Sequence, residues 1–185
     1  PRGRFGLLGE TILDQTDTTI NLLRSGDQAL RSRDYGNAAD AYMQSIRINP
    51  LSLDAYTRLA DVHIEQEQFE EALALLERAQ KIASPYHWKI NWYRGRLYEA
   101  QERYSEAIGC YNAVHTDLPG ELPPQQALAH IETRLGHAEA ATRLYSDVLK
   151  ADPTDIESIL GAADAFINLE RWDDATSILK RVNES

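Results

Sequence analysis

The residues of this chain that could do chemistry are five histidines, one cysteine and a set of basic side chains lying among aromatics. A helical metal site needs two ligands on one face, as in His-x-x-x-His or Glu-x-x-His, and a structural zinc site needs Cys-x-x-Cys pairs. None of these spacings occurs. His130 and His137 are seven apart and would share a helix face, but Gly136 is expected to break the helix between them. His63 falls on a core-facing helix site and reads as a packed histidine rather than a ligand. Cys110 is single, so no disulfide can form within the chain; its mid-helix position suits a small buried residue. No phosphate-binding glycine loop follows a strand, and neither a nucleophile elbow nor the kinase signatures are present. The chain is expected to catalyse nothing by itself and to hold no cofactor and no metal.

What remains is recognition by surface. The 185 residues are 43% hydrophobic, enough for a well-buried core, and the net charge is −10. No long run of like charge and no basic face for nucleic acid exists. No apolar run is long enough to span a bilayer and no signal peptide is recognisable. These features predict a chain that binds neither nucleic acid nor membrane. It starts at Pro1 rather than methionine and reads as a fragment of something longer.

The elements that must position any binding surface come from a repeat. Small residues twelve apart recur as Gly26/Ala38, Ala60/Ala72, Gly95/Ala107, Ala129/Ala141 and Ala163/Ala175. The steps between first anchors are 34, 35, 34 and 34 residues. Four places past each second anchor stand Tyr42, Leu76, Tyr111, Tyr145 and Leu179. Pro50, Pro85, Pro119 and Pro153 close the first four units. Two antiparallel helices approach closely only where both present a small residue, and a large residue beside the crossing fills the groove. Proline, lacking an N–H and clashing inside a helix, ends the second helix of each unit.

This pattern resembles the tetratricopeptide repeat, whose period is 34. The resemblance implies an all-α, right-handed solenoid of five helix-turn-helix repeats, 19–52, 53–87, 88–121, 122–155 and 156–185. First (A) helices are predicted near 19–32, 53–66, 88–101, 122–135 and 156–169. Residues 1–18 read as a linker or capping segment, helical from about Thr11, with Asp17 or Thr18 as an N-cap. Phe5, Leu7, Leu8, Ile12 and Leu13 are candidates to pack on an open end. Trp172 takes the site of Tyr35, Phe69 and Tyr104, a core position.

In such repeats the A helices line a concave groove. Arg58, Lys89, Arg96 and Arg134 then reach neighbouring A-helix surfaces, with Trp92, Tyr93, Gln126 and His130 among them. A basic patch with aromatic anchors suits an extended acidic peptide, because guanidinium groups pair carboxylates in two-point fashion. The competing reading is that these cations neutralise Asp54, Asp61 and Glu99. Repeat three places Asn91 and Arg94 where large apolar residues are usual, so either α-helix rotation buries Trp92 or Trp92 lines the groove. At the far end, Ile178, Leu179 and Val182 recur on one helix face that another chain is expected to cover, most simply a second copy in a two-fold dimer; the rivals are a capping segment lost in truncation, or Phe5, Leu7 and Leu8 of a neighbouring copy.

The run His87-Trp88-Lys89-Ile90-Asn91-Trp92-Tyr93-Arg94-Gly95, then Tyr111-Asn112-Ala113-Val114 and Asp117-Leu118-Pro119-Gly120-Glu121-Leu122, is similar to the repeat region of the bacterial protein kinase G family. Pro123 and the Gln125-Gln126 pair depart from that pattern. The resemblance implies a cytoplasmic serine/threonine kinase whose repeats, here 51–185, recruit substrates or mediate self-association. The alternative is a free-standing adaptor or scaffold that binds a peptide in its groove.

Overall fold

The computed structural model describes residues 3–83 and 87–183, with side chains for 15–83 and 87–182. Among them are ten α-helices, one 3-10 turn and no strand. The helices are α1 (Gly3–Arg31), α2 (Tyr35–Ile48), α3 (Leu53–Glu65), α4 (Phe69–Ile82), α5 (Trp88–Ala100), α6 (Tyr104–Asp117), α7 (Leu122–Arg134), α8 (Ala138–Ala151), α9 (Ile156–Asn168) and α10 (Trp172–Lys180). The turn follows at Arg181–Asn183. The A helices α3, α5, α7 and α9 begin at the residues that the spacing indicated. The first differs: α1 is helical from Gly3, well before Thr11. Asp17 and Thr18 therefore lie inside a helix and cap nothing. The side chains of Phe5, Leu7, Leu8, Ile12 and Leu13 lie outside the described residues, as does Pro85.

Local chemistry explains where the helices start and stop. Side chains at the entry of several helices accept a backbone N–H that has no partner inside the helix. Asp34 accepts from Asn37 at 3.2 Å, Ser52 from Ala55 at 3.3 Å and Asp155 from Ser158 at 3.0 Å. At His87 the ring nitrogen accepts from Lys89 at 3.3 Å. Pro123 and Pro124 occupy the first turn of α7, where a missing N–H costs nothing. Each A–B turn reverses through one residue with positive φ, seven past the first anchor: Arg33 (58°), Glu67 (59°), Glu102 (57°), Gly136 (77°) and Glu170 (58°). Gly136 does end α7, as the sequence indicated, and it separates His130 from His137.

By its contacts the chain divides into two compact units, Pro1–Gln101 and Glu102–Ser185. In the first, Tyr42 packs with Ala38, Leu59 and Val62, and Leu97 joins Ala60, Ile64, Ala72 and Leu76. In the second, Tyr145 and Leu149 pack with Ala129, Ala141, Ile159, Ala162 and Ala165. All ten small anchors are buried. At Gly26 the approach is close: a Cβ there would lie 2.4 Å from the Tyr42 ring. Tyr42 cannot swing aside, because it is fully buried and its hydroxyl donates to Asp27 Oδ1 at 2.8 Å.

Two core assignments are corrected. Trp172 is 60% exposed. Its counterparts are covered by the A helix of the following repeat: Tyr35 lies against the cluster of Leu59 and Val62, and Phe69 against that of Leu97. Among the described residues no such helix covers Trp172. Cys110 is half-buried rather than buried. His63 is also half-buried, with Nδ1 2.6 Å from Gln68 Oε1 in the turn.

Three glycine substitutions separate the constraints. Gly26→Ala should overpack Tyr42 and destabilise by about 1–3 kcal/mol. Gly136→Ala meets nothing within 4 Å, so its cost is backbone alone, about 1–2 kcal/mol. Gly109→Ala lies mid-helix in α6 with open space around it, and should stabilise by about 0.5–1 kcal/mol. Denaturant midpoints check all three; a neutral Gly26→Ala would remove Tyr42 from the crossing.

Candidate protein-binding surface

In the first unit the A helices α1, α3 and α5 are joined by ion pairs. Arg58 on α3 pairs with Asp27 on α1. Lys89 and Arg96 on α5 pair with Asp54 and Asp61 on α3. Arg96 also reaches Glu65 Oε1 at 2.6 Å. The three cations expected to greet an acidic ligand are thus engaged with carboxylates of the neighbouring A helix. Asp54 and Asp61 were foreseen as partners; Asp27 and Glu65 were missed. The foreseen pairs follow the period, Asp54/Lys89 and Asp61/Arg96 each being 35 residues apart, whereas the missed contacts, Asp27–Arg58 and Glu65–Arg96, are 31 apart.

These pairs are neither free surface contacts nor fully buried ones. Side-chain exposure is 29% for Arg96 and 12% for Asp61. Burial pushes the Asp61 carboxyl above its ordinary value of 3.8, and Arg96 pulls it part of the way back. Burial also drives the Tyr93 phenol up to about 12, with Asp61 adding to the effect. Tyr93 packs beside the Leu97 cluster. Ile90 and Leu97 are the buried large residues of α5, at 0% and 1% exposure, and Arg94 donates to Gln80 at 2.6 Å. Trp92 is half-buried, so neither alternative for it holds in full.

Beside the ion pairs lies an open pocket of about 390 Å³, lined by Asp27, Leu30, Arg31, Arg33, Tyr35, Asp61, Glu65 and Arg96. Arg31 and Arg33 are exposed, and no partner for either guanidinium occurs among the described residues. The sequence spacing puts Arg31 on the groove side but neither it nor Arg33 in the basic patch, because both lie at the end of α1 or just past it, away from Trp92 and Tyr93.

The second unit brings its named residues together less. Gln126 on α7 donates to Asp155 at 2.8 Å. Burial opposes ionisation of Asp155, but bonds from Ser158 and Gln126 outweigh it and hold the carboxyl below its usual value. His130 is exposed. Arg134 lies 3.4 Å from both Glu102 and the Tyr104 hydroxyl. At the end of the chain, Ile178 and Val182 pack inward against the Tyr145 cluster, and only Leu179, 37% exposed, faces outward. Three exposed apolar residues stand together on α9, Ile156 (52%), Leu160 (49%) and Ile167 (39%), in addition to Trp172 on α10.

Helical hairpins of this register, with small anchors buried at every crossing, match one family profile. The protein kinase G tetratricopeptide repeat covers residues 11–185. The chain belongs to that family. Superkiller protein 3 of Schizosaccharomyces pombe is 25% identical over 150 residues, 72% of this chain and 11% of that protein. Small glutamine-rich tetratricopeptide repeat-containing protein 2 of Mycosarcoma maydis is 28% identical over 145 residues, 78% of this chain and 38% of that protein. The chain therefore spans well under half of either relative. A thermophilic tetratricopeptide protein of Thermus thermophilus superposes with a TM-score of 0.77 at 19% identity, covering 90% of each chain. The pilF protein of Pseudomonas aeruginosa gives 0.77 at 16%, covering 92% of this chain and 78% of its own. At such identities the solved structures speak for the fold. Tetratricopeptide repeats are in general non-catalytic and bind other proteins, and no helix among the described residues is long and apolar enough to cross a membrane.

The Asp61–Arg96 pair has a pH signature. Without Arg96 the folded-state value of Asp61 rises further, so ionised Asp61 opposes folding at neutral pH. Below 3.8 the carboxyl is neutral in both states and that penalty disappears. Arg96→Ala should therefore cost about 1–3 kcal/mol at neutral pH and distinctly less in acid. Urea titrations at the two pH values check this; equal losses would mean that Arg96 acts by packing alone.

Proposed function

We propose that this chain is the protein-recognition region of a protein kinase G-like serine/threonine kinase, where it holds substrates for phosphorylation. The observation that carries the reading is the family match over residues 11–185. The Trp92-Tyr93-Arg94-Gly95 and Leu118-Pro119-Gly120-Glu121-Leu122 runs support it. In an adaptor without a kinase the same surfaces would hold a peptide with no phosphoryl transfer attached. The two readings part in one assay on the full-length gene product. A kinase should phosphorylate short peptides equally well with and without residues 19–185, and lose phosphorylation of its protein substrates without them. No phosphoryl transfer from the full-length protein would leave the adaptor.

The substrate contact of this reading is the pocket between α1, α3 and α5. Arg31 and Arg33 flank it with unengaged guanidinium groups. Two such groups near Tyr35 and Leu30 suit an extended peptide that carries a carboxylate beside an apolar residue. Arg96, which also lines the pocket, is held by Asp61 and Glu65 instead of meeting the ligand directly. An acidic peptide should bind wild type more tightly at low salt, and Arg31→Glu/Arg33→Glu should weaken it about tenfold or more. Equal, salt-insensitive binding by both proteins would contradict the assignment.

Self-association is a further part of the family expectation. With Ile178 and Val182 turned inward, a two-fold contact through α10 would rest on Leu179. Light scattering across a dilution series tests it. A dimer that Leu179→Glu converts to monomer is the supporting result, and a monomer throughout rejects it.

A further inference from the structure

We propose that the outward face of α9 docks a helix from a partner protein, one carrying two basic residues seven positions apart, each followed by an aliphatic residue. The inference concerns a different surface from the α1–α3–α5 pocket and a ligand of opposite charge, so each stands or falls without the other.

The argument comes from comparing α9 with α3. Their first anchors, Ala163 and Ala60, put the two helices in the same register. Asp54 and Asp61 on α3 then answer to Glu157 and Asp164 on α9, both pairs seven residues apart. On α3 the pair is met by Lys89 and Arg96 of α5. The positions between and beyond are closed over: Thr57 is 1% exposed and Ile64 5%. The aliphatic residues following the two cations, Ile90 and Leu97, are buried in the adjoining clusters. So the chain itself shows what covers an A helix with this charge pattern, namely a helix reading basic-aliphatic, five residues, basic-aliphatic.

On α9 the same face is open. Leu160 and Ile167, the counterparts of Thr57 and Ile64, are 49% and 39% exposed, and Ile156 is 52% exposed. Glu157 and Asp164 are exposed, and neither has a partner among the described residues. Trp172 extends the patch, 60% exposed at the position where Phe69 is covered in repeat two. Leu160 in place of Thr57 makes this face more apolar than its covered counterpart. Burying it gains the hydrophobic term, while the two flanking carboxylates must lose water. A helix without matching cations would leave those carboxylates desolvated and unpaired, so the face selects for basic partners. A second copy docked face to face would set Glu157 and Asp164 against like charges. Among the described residues the matching helix, α5, is already engaged on α3.

The test uses a synthetic peptide with the sequence of residues 88–101, blocked at both ends and titrated calorimetrically into the 185-residue chain. Binding to wild type is expected, with a loss of about tenfold or more in the Glu157→Lys/Asp164→Lys protein. Both side chains are exposed, so that variant should fold as wild type does, which circular dichroism verifies. The decisive arm is the exchange of charge: a peptide with Lys89→Glu and Arg96→Glu should fail against wild type and bind the double variant. Leu160→Ala should weaken the original peptide without altering its salt dependence. Absence of binding, or binding indifferent to the α9 charges, overturns the proposal. So does a doubled mass in light scattering that the peptide competes away and Glu157→Lys/Asp164→Lys abolishes, because the occupant is then a second copy.

Discussion

Two helices can approach closely only if neither places bulk at the crossing, and in this chain that condition is met by Gly or Ala twelve residues apart in every repeat. All ten of these residues are buried. The close approach is then filled by a large side chain one turn on, as Tyr42 fills the space over Gly26. A hairpin built this way buries one side only. The other side of its A helix needs the next A helix, which is why such repeats occur in arrays. In the first unit that need is met for α1 by α3 and for α3 by α5.

Electrostatics follows the same stacking. Acidic residues on one A helix meet basic residues one repeat later, as Asp61 meets Arg96. Such partly buried pairs add modest stability but penalise any slipped register, in which a half-buried carboxylate would be left alone. They also determine what the surface can recognise. Three of the cations among the aromatics are engaged, so the groove of the first unit is not the positive strip that a residue count indicates. The recognition proposed above rests instead on charges without a partner among the described residues, Arg31 and Arg33 in one unit and Glu157 and Asp164 in the other.

The hairpins were legible in the sequence because their signals are local and repeated. Small anchors, prolines and capping residues set α3, α5, α7 and α9 to within a residue of the expected ends. The start of α1 was not legible, since three glycines and an absent period point away from a helix that nonetheless begins at Gly3. The A–B turns were legible as turns, yet four of the five place Arg or Glu at positive φ where glycine would be the natural choice. Side-chain environment was harder to read, because periodicity says which face is apolar and not what covers it. Trp172 has the type and position of a core residue and is exposed, with no helix among the described residues to cover it. Ile178 and Val182 look like an interface and are spent on their own unit. The ion pairs were half legible: acid and base one period apart is a readable signal, but the Arg58–Asp27 and Arg96–Glu65 contacts, 31 residues apart, depend on how side chains lean across the stack.

The central claim is that an A helix is completed by the next one, so that α3 is a finished element and α9 an open one. Amide hydrogen exchange across the chain measures this directly, because it reports the opening free energy of each helix separately. The account predicts that amides of α3 exchange slowly, close to the rate of global unfolding, and that those of α9 exchange markedly faster. Protection of α9 equal to or above that of α3 in the monomer would contradict it.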